Sequence, residues 1–466
     1  MGLIISIGKS GGAGRKVTEA THAYGYQVDT TSKSKYVTRI GNLDLHRTLP
    51  IQNRIRRYME SHGGQFLYWL HPHDSTLKAD GTPADLSGAT GNVKLYKPGY
   101  YFKLTKDGNV VRRMFSEFPI TGYLYRPPMS IAPWYSTYDN VNNRAATVCS
   151  LQFDKAGEVL RDEITDLPLW QANAAQFRGG NNSSANDAAY NSLLGMGRTA
   201  VARADIRSKC AAIGAHHGTY RAMSELAQLQ TLEYGNYDIQ EAYDPSLDVN
   251  GFRQGGLGRG PAVDWTQWTT HNGNYPFVPG GVTAKLGNNS GVVNYTVKNW
   301  ANTGVDKVVP APCYRGFETW YEYLWLINDD SLVYHQTDLE GGKVLLYVCA
   351  DPSKFAYPAN ETEPTPPTGY DLKTDKLPTA DGWGWNEADN EEGDMLPVNT
   401  GATSVEGICD YFWRNPTNRG WFCPLLSGNA AYGSYAGSRG AHANSRATDA
   451  HAACGFRLCR SNPVVG

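Results

Sequence analysis

The sequence predicts an α+β fold, and three observations support this class. Short strand-like runs separated by turn signals fill residues 21–145, for example "QFLYWL" (65–70) and "GNVKLYKPGYYFKLT" (91–105). Two amphipathic helices follow, in "RTAVARADIRSKCAAIG" (198–214) and "SELAQLQTLEYG" (224–235). Strand-like "WYEYLWLI" (320–327) and "KVLLYVCA" (343–350) come later. Helices segregated from short strands are typical of α+β proteins.

The N-terminal part divides into an arm and a β-rich domain. Residues 1–20, around "GKSGGAGRK", have the Gly/Ser/Lys composition of a flexible or partner-ordered arm. Residues 21–145 then form a β-rich N-terminal domain. Within it, "LPIQNRIRRYMESHGG" (49–64) predicts one helix, because Ile51, Ile55 and Met59 recur every four residues and two glycines follow.

The remaining residues, 146–466, are assigned to a second, larger domain that contains both amphipathic helices. Ile206 and Cys210 lie on one face of the first helix, which should end at Gly214. Ser224 is a plausible N-cap of the second helix, and Gly235 fits the position after its last turn. A Pro/Thr-rich stretch, "YPANETEPTPPTGYD" (357–371), is expected to be a surface loop.

Composition limits the functional classes. The chain has 466 residues, 41% hydrophobic and 19% charged, with a net charge of −2, so it can bury a core and has no electrostatic basis for binding nucleic acid. No apolar run is long enough to span a membrane, and the first residues lack the pattern of a signal peptide. Eight cysteines without an export signal are expected to be reduced and mostly buried.

Motifs for phosphate and metal binding have simpler explanations. A phosphate loop in "IGKSGGAG" would require glycine at position 3, but the chain has Leu3 there. The stretch therefore favours a flexible arm. His71, His73 and Asp74 could contribute to a zinc site, but no third ligand cluster lies nearby in the sequence, and the same residues suit a turn. We therefore expect no metal and no cofactor.

Other stretches could suggest calcium binding or catalysis. "WLINDD" (325–330) resembles a Trp-Asn-Asp calcium motif interrupted by two residues, and a turn after a buried strand is the preferred reading, although calcium stays open. Trp325 and its aromatic neighbours are expected to be core residues. His442, Ser445 and Asp449 contain the residue types of a catalytic triad but lack a nucleophile elbow, so no catalytic residue is predicted.

The most unusual segment is 427–454, "SGNAAYGSYAGSRGAHANSRATDAHAAC". Its small residues interspersed with Tyr, Ser, Asn and His have the composition of a paratope, in which Tyr supplies rigid contact area and Ser, Asn and Gly adaptable hydrogen bonds. It contains no Lys, Glu, Gln, Met or Trp, the types whose codons all end in a purine. Codons randomised at their first two bases and ending in a pyrimidine would lack all five. We call residues 427–454 the variable segment.

Three stretches in this order carry a family resemblance: "GRTAVARADIRSKCAAIG…SELAQLQTLEYGNYDIQ", "YRGFETWYEYLWLI" and "NRGWFCPLLSGNAAYGSYAG…GFRLC". Over roughly residues 175–466, the chain resembles the C-type-lectin-fold proteins related to formylglycine-generating enzymes. It is most similar to the retroelement-diversified phage tail receptor-binding proteins of the major tropism determinant type. The resemblance implies a C-type lectin fold for the C-terminal domain.

The resemblance implies a phage tail-fibre or tail-tip adhesin that binds a host bacterial surface receptor, protein or glycan, through the variable segment. It also implies a homotrimer that contacts other tail proteins, in which residues 21–145 serve tail attachment or oligomerisation. The protein would be made in the host cytoplasm and located in the virion, with no membrane insertion. The alternatives are a formylglycine-generating-type enzyme and a passive structural tail protein. The enzymatic reading lacks the family's closely spaced cysteine pair, because only Cys454 and Cys459 flank the terminal Gly-Phe-Arg.

Within the variable segment, small residues are expected to fix the backbone and the others to contact the receptor. The expected fixed positions are Gly428, Gly433, Ala436, Gly437 and Ser438. The expected receptor-binding positions are Ala431, Tyr432, Tyr435, Arg439, Gly440, His442, Asn444, Asp449 and His451, and Arg439 could serve in either role.

Overall fold

The computed structural model corrects the expected fold class. The chain is mostly β, with 36% of residues in strands and 14% in helices, and its strands form many small sheets rather than an α+β C-type lectin arrangement. Many strands are only two to five residues long, too short to show the alternation by which a sequence reveals a strand. The structure describes residues 16–164, 166, 168–169, 176–181, 195–389, 395–415 and 417–466.

The N-terminal region contains two short helices and most of the longer strands. Residues 1–15 of the expected arm lie outside the described residues, and α1 begins within its last part. The elements are α1 (Glu19–His22), β1 (Ala23–Asp29), β2 (Thr38–Gly41), α2 (Leu43–Thr48), β3 (Arg56–Ser61), β4 (Phe66–His71), β5 (Asp74–Lys78), β6 (Gly91–Lys97), β7 (Tyr100–Asp107), β8 (Val110–Ser116), β9 (Leu124–Arg126), β10 (Met129–Ile131), β11 (Thr137–Asp139) and β12 (Arg144–Ala146).

The described residues after 146 add further helices and many short strands. The α-helices described there are α3 (Arg203–Ala211), α4 (Tyr220–Tyr234) and α5 (Trp265–Thr270). The strands are β13 (Tyr243–Leu247), β14 (Arg253–Gly255), β15 (Gly291–Val297), β16 (Lys307–Tyr314), β17 (Phe317–Glu318), β18 (Trp325–Ile327), β19 (Ser331–His335), β20 (Val344–Cys349), β21 (Tyr370–Leu377), β22 (Gly382–Asp389), β23 (Pro397–Thr400), β24 (Tyr411–Arg414), β25 (Gly420–Phe422), β26 (Leu425–Leu426), β27 (Ala441–His442), β28 (Cys454–Phe456) and β29 (Cys459–Ser461).

Four sheets organise the fold. A five-stranded sheet has the order β2-β1-β8-β7-β9, and a six-stranded sheet has the order β29-β10-β6-β3-β4-β5. A seven-stranded sheet has the order β23-β22-β24-β27-β26-β18-β28 and carries the variable segment. A four-stranded sheet has the order β21-β20-β19-β25. Strand β29 pairs antiparallel with β10, with Met129 opposite Ser461. The last strand of the chain therefore completes a sheet built from the first third of the sequence.

The helix expected at residues 49–64 is wrong. Only Gln52–Arg54 form a single 3₁₀ turn, and β3 follows between β4 and β6. Ile51, Ile55 and Met59 are buried, as their spacing suggested. Strand β3 is central and buried on both faces, so it lacks the apolar/polar alternation of a half-exposed strand and its spacing resembles that of a helix.

Helix α4 is the buried centre of the molecule. Nearly every side chain from Tyr220 to Tyr234 is buried. The carboxylate of Asp330 accepts hydrogen bonds from the backbone N–H groups of Tyr220 (2.8 Å) and Arg221 (3.1 Å), which caps the helix from a distant loop. Ser224 is therefore not the N-cap, because the helix begins one turn earlier than the local sequence indicates. Gly235 ends the helix in the left-handed region, at φ 69°, as expected.

Several local expectations are confirmed. All eight cysteines are unpaired and buried. Pro72 and His73 form the turn that joins β4 to β5, and residues 357–369 are an irregular stretch before β21. Among the described residues, no helix has both the length and the apolar composition needed to cross a bilayer.

Candidate ligand-binding face

The seven-stranded sheet has two different faces. On one face, Leu326, Phe412, Leu426 and Ala441 are buried in the main hydrophobic core, which also contains the apolar side chains of α4. On the other face, Trp325, Ile327, Leu425 and Phe456 pack in a second, smaller core with Ile206 and Cys210 of α3. The strands β22 and β24 extend beyond this cover, so their second face is open.

This open part of the sheet carries a ladder of aromatic side chains. Trp383 and Trp385 alternate with Gly384 along β22, so both rings project from the same face. They lie opposite Trp413 and Tyr411 of β24 in the antiparallel register. Gly384 occupies the other face, where a Cβ atom would come within 2.5 Å of the Thr400 side chain. The sequence Trp-Gly-Trp therefore presents two rings on one side and allows close packing on the other.

The variable segment adds three more rings to this ladder. Tyr435 stacks on Tyr411 with centroids 4.1 Å apart and an interplanar angle of 6°. His442 of β27 stacks on Trp413 at 4.2 Å. Tyr432 lies 5.1 Å from Trp383, centroid to centroid. These spacings are those of favourable aromatic pairs. We call the surface formed by Trp383, Trp385, Tyr411, Trp413, Tyr432, Tyr435 and His442 the aromatic face.

The aromatic face is partly open to solvent. Trp383 has 37% of its surface exposed and Tyr435 has 43%. Trp385, Tyr411 and Trp413 are half-buried, as are Tyr432 and His442. Such a continuous, half-exposed aromatic surface is unusual for a part of a protein that contacts only water.

A cavity of about 360 Å³ adjoins the aromatic face. Its sheet side consists of Trp325, Ile327, Leu425 and Cys454, which belong to the strands β18, β26 and β28. Tyr432 and His442 line both the cavity and the aromatic face, so the two form one continuous site. We call this space the side cavity.

Most of the remaining lining is polar or aromatic. Asn429, Ser445, Asp449 and His451 come from the variable segment, and Trp265 comes from α5. Trp265 is 45% exposed, and its ring lies almost parallel to that of His451, with 6.5 Å between centroids and 21° between planes. Hydrophobic walls with a few placed polar groups are typical of small-ligand pockets.

Charge in the side cavity is low. Asp449 is the single charged group among its described lining residues. Its Oδ2 accepts hydrogen bonds from Ser445 Oγ (3.1 Å) and Arg446 N (2.7 Å). Burial lowers the pKa of His442 to about 4, so this ring is neutral at pH 7. Ser445 donates to Asp449 and His442 Nδ1 accepts from Asn444 N, and this is not the relay of a catalytic triad.

The structure brings most of the expected receptor-binding residues to this site. Tyr432, His442, Asp449 and His451 line the side cavity, and Tyr435 lies on the aromatic face. Ala431 is half-buried against the main core. Asn444 is half-buried, and its Oδ1 accepts a hydrogen bond from Asn418 (3.0 Å).

Two of the proposed contact positions are buried, and of the two roles open to Arg439 its position favours the fixed one. Gly440 is buried, and a Cβ there would approach Gly437. Arg439 is fully buried, and its Nε donates to Asp389 Oδ1 at 2.7 Å while its Nη2 donates to Thr231 Oγ1 at 3.0 Å. A buried charge is retained only when it is paired, and this pairing fixes Arg439 as an anchor.

The expected fixed positions are fixed for identifiable reasons. Gly428 has φ +77°, and a Cβ there would lie 2.5 Å from the Cβ of Ala436. At Gly437 a Cβ would overlap the carboxylate of Asp410, 1.7 Å away. Ala436 and Ser438 are completely buried, and Gly433 has φ +59°. At these positions the variable segment therefore tolerates only small residues.

Sequence reasoning missed the aromatic residues outside the variable segment. Trp383 and Trp385 in "GWGW" and Tyr411 and Trp413 in "YFW" alternate at the spacing of a strand with one aromatic face. This signal was present but could not be assigned to a surface. Trp325 was expected in the core; it is 6% exposed and also lines the side cavity.

Two further observations concern metals and relatives. Within the described ranges, no group of three or more His, Cys, Asp or Glu side chains could hold a metal ion. Neither the protein-family models nor the curated proteins contain a match to this chain.

Proposed function

We propose that this chain is a phage tail receptor-binding protein that binds a host bacterial surface receptor through the aromatic face and the side cavity. One observation carries the proposal. The variable segment places its large side chains, Tyr432, Tyr435 and His442, on a half-exposed surface of rings supplied by the rest of the fold. Its small and buried residues meanwhile hold its backbone in place.

The chemistry of this surface suits recognition. Trp and Tyr are the residue types that contribute most binding energy at interfaces, because they bury a large rigid area. Trp383 and Tyr435 are exposed enough to contact a partner and are held by neighbouring rings. Ordered rings lose little conformational entropy on binding, which favours affinity.

The division of the segment into anchored and outer residues explains how diversification could be tolerated. Replacing Arg439 removes the closest cationic partner of the buried Asp389 carboxylate, and a side chain at Gly437 would overlap the carboxyl group of Asp410. Tyr435, Asp449 and His451 are exposed, so their replacement leaves the core intact. A binding surface that varies on a rigid frame keeps stability and specificity separate.

The rest of the proposal follows the family resemblance. It includes a homotrimer located in the virion, attached to other tail proteins through the N-terminal region. Repeated copies on one particle would raise the effective concentration of each site, so modest affinity per site would suffice for adhesion.

An enzymatic function of the formylglycine-generating type is the alternative. Burial raises the pKa of Cys454, which lines the side cavity, to about 12. A thiol with this pKa is almost entirely protonated at pH 7 and is a poor nucleophile. This argues against Cys454 as a catalytic residue and favours binding.

Adsorption of the fluorescently labelled full-length protein to a panel of bacterial strains tests the proposal. We expect at least one strain to bind it, and the double variant Tyr432→Ala/Tyr435→Ala to bind that strain at least about tenfold more weakly. Tyr125→Ala, which removes a tyrosine that is 55% exposed on β9, is the matched control and should bind normally. Equal binding by the double variant, or no binding to any strain, would instead support a passive structural role.

A further inference from the structure

We propose that the side cavity binds one uncharged sugar ring, as the part of a receptor that enters the protein. This inference rests on the binding function proposed above and specifies the chemical class of the ligand. Four features support it: the size of the cavity, the aromatic and aliphatic side chains in its walls, the hydrogen-bonding groups at its polar side, and its charge.

The size of the side cavity matches a small ring. Its volume of about 360 Å³ lies at the lower end of the range for ligand pockets, roughly 300–1,000 Å³. One or two hexose rings fit a space of this size, whereas a folded protein epitope does not enter it. Two of the strands on its sheet side, β18 and β26, are interior strands of the seven-stranded sheet and offer no free edge to a peptide backbone. On the edge strand β28, Phe456 O already accepts a hydrogen bond from Ser136 N (2.9 Å).

Aromatic and aliphatic side chains together form the apolar lining of the side cavity. Trp265 and Tyr432 provide aromatic rings, and Trp265 is 45% exposed and held beside His451. The faces of such rings carry partial negative charge, which suits the weakly positive C–H groups on one side of a pyranose. Ile327 and Leu425 add aliphatic surface at the sheet side.

The polar side offers both donors and an acceptor. His451 Nδ1 accepts a hydrogen bond from Ala453 N (3.1 Å), which leaves Nε2 as the ring nitrogen that carries a proton and can donate it. Asn429 Oδ1 accepts from Ala431 N (3.0 Å), which directs the side-chain NH₂ group away from that bond. Asp449 uses Oδ2 for bonds within the protein, and among the described residues Oδ1 has no hydrogen-bond donor. Neighbouring hydroxyl groups, each both donor and acceptor, match this set.

Charge selects among sugars. Asp449 is the charged group of the cavity, and the described lining includes no lysine or arginine to offset it. A carboxylated or phosphorylated sugar would place like charges together, which is unfavourable in a partly desolvated site. The ligand is therefore a neutral hexose or N-acetylhexosamine rather than an acidic sugar.

Titration of the purified full-length protein with defined sugars tests this inference. The neutral probes are methyl β-glucopyranoside, methyl β-galactopyranoside and N-acetylglucosamine, and N-acetylneuraminic acid is the acidic comparator. Ligand-observed NMR is the readout, supported by tryptophan fluorescence. We expect at least one neutral probe to bind with a Kd of about 1–10 mM and the acidic sugar to bind at least about tenfold more weakly.

Two variants locate the binding. Trp265→Ala removes an exposed ring, and Asp449→Asn replaces an exposed carboxylate by an amide; each should weaken binding of the neutral probe by about tenfold. Tyr125→Ala should leave it unchanged. The inference is overturned if no neutral probe binds at about 50 mM, if the acidic sugar binds as well as the neutral ones, or if both variants bind normally.

The adhesion assay separates this inference from the proposed function. If the Tyr432→Ala/Tyr435→Ala variant loses cell binding but no sugar binds, the receptor-binding function stands and the sugar is wrong. If a neutral sugar binds but the protein adsorbs to no bacterial strain, the cavity is correctly assigned and the receptor-binding function is wrong.

Discussion

Replacement of Arg439 tests whether the inner side of the variable segment holds the fold together. The Arg439 guanidinium is fully buried; it donates to Asp389 Oδ1 (2.7 Å) and to Thr231 Oγ1 (3.0 Å), and it lies 4.8 Å from the centroid of the Tyr237 ring. Asp389 is 4% exposed. Arg439→Ala therefore leaves a buried carboxylate with its closest cationic partner removed.

The expected loss is large. Removing one partner of a buried ion pair costs about 3–5 kcal/mol, because the remaining charge stays desolvated. A protein's total free energy of unfolding is typically about 5–15 kcal/mol, so Arg439→Ala should consume a substantial part of it. Arg439→Lys keeps the charge but not the planar fork that reaches both Asp389 and Thr231, so its free energy of unfolding should lie between those of the wild type and Arg439→Ala.

Urea unfolding followed by tryptophan fluorescence measures these differences. Tyr435→Ala is the matched control within the same segment. Tyr435 is 43% exposed, and its loss removes one stacked pair with Tyr411, worth about 0.5–1.5 kcal/mol. A loss below about 1 kcal/mol for Arg439→Ala would refute the view that this residue anchors the variable segment.

Three further substitutions give independent tests. Gly428→Ala should destabilise the fold by about 1–3 kcal/mol in urea unfolding, because the added methyl lies 2.5 Å from the Cβ of Ala436 at a positive φ; an unchanged midpoint would contradict this packing. Asp330→Ala should lower the free energy of unfolding by about 1–3 kcal/mol because it removes the cap of α4, and the helical circular dichroism signal should be lost at a lower urea concentration than in the wild type. Unchanged stability would exclude the cap. Burial raises the pKa of Asp410 from 3.8 to about 8, so the stability that the protonated side chain contributes is fully present below about pH 4 and is lost as the pH rises from about 4 to 8. The melting temperature of Asp410→Asn relative to wild type should therefore rise between about pH 5 and pH 8 and then level off, and a constant difference across this range would contradict the raised pKa.

The sequence alone predicted the elements whose signals are local. The end of α4 at Gly235 follows from the left-handed backbone that glycine adopts easily. Strands β6 and β7 follow from their β-branched and aromatic residues around a Pro-Gly turn. The small residues Gly428 and Gly437 marked positions where the backbone is approached closely. The sequence also predicted Tyr432 and Tyr435 as contact residues, and both lie on the aromatic face.

Tertiary structure decided everything that depends on distant partners. The residues of β3 have helical spacing but pair with β4 and β6, because burial on both faces removes the alternation that identifies a strand. Arg439 lies in a segment of surface-like composition, yet Asp389 and α4 draw it into the core. Trp383 and Tyr435 are 52 positions apart in the numbering, and only the sheet brings their rings to one face. Sheet pairing and burial join residues that are far apart along the chain, and no local pattern records which partners will meet.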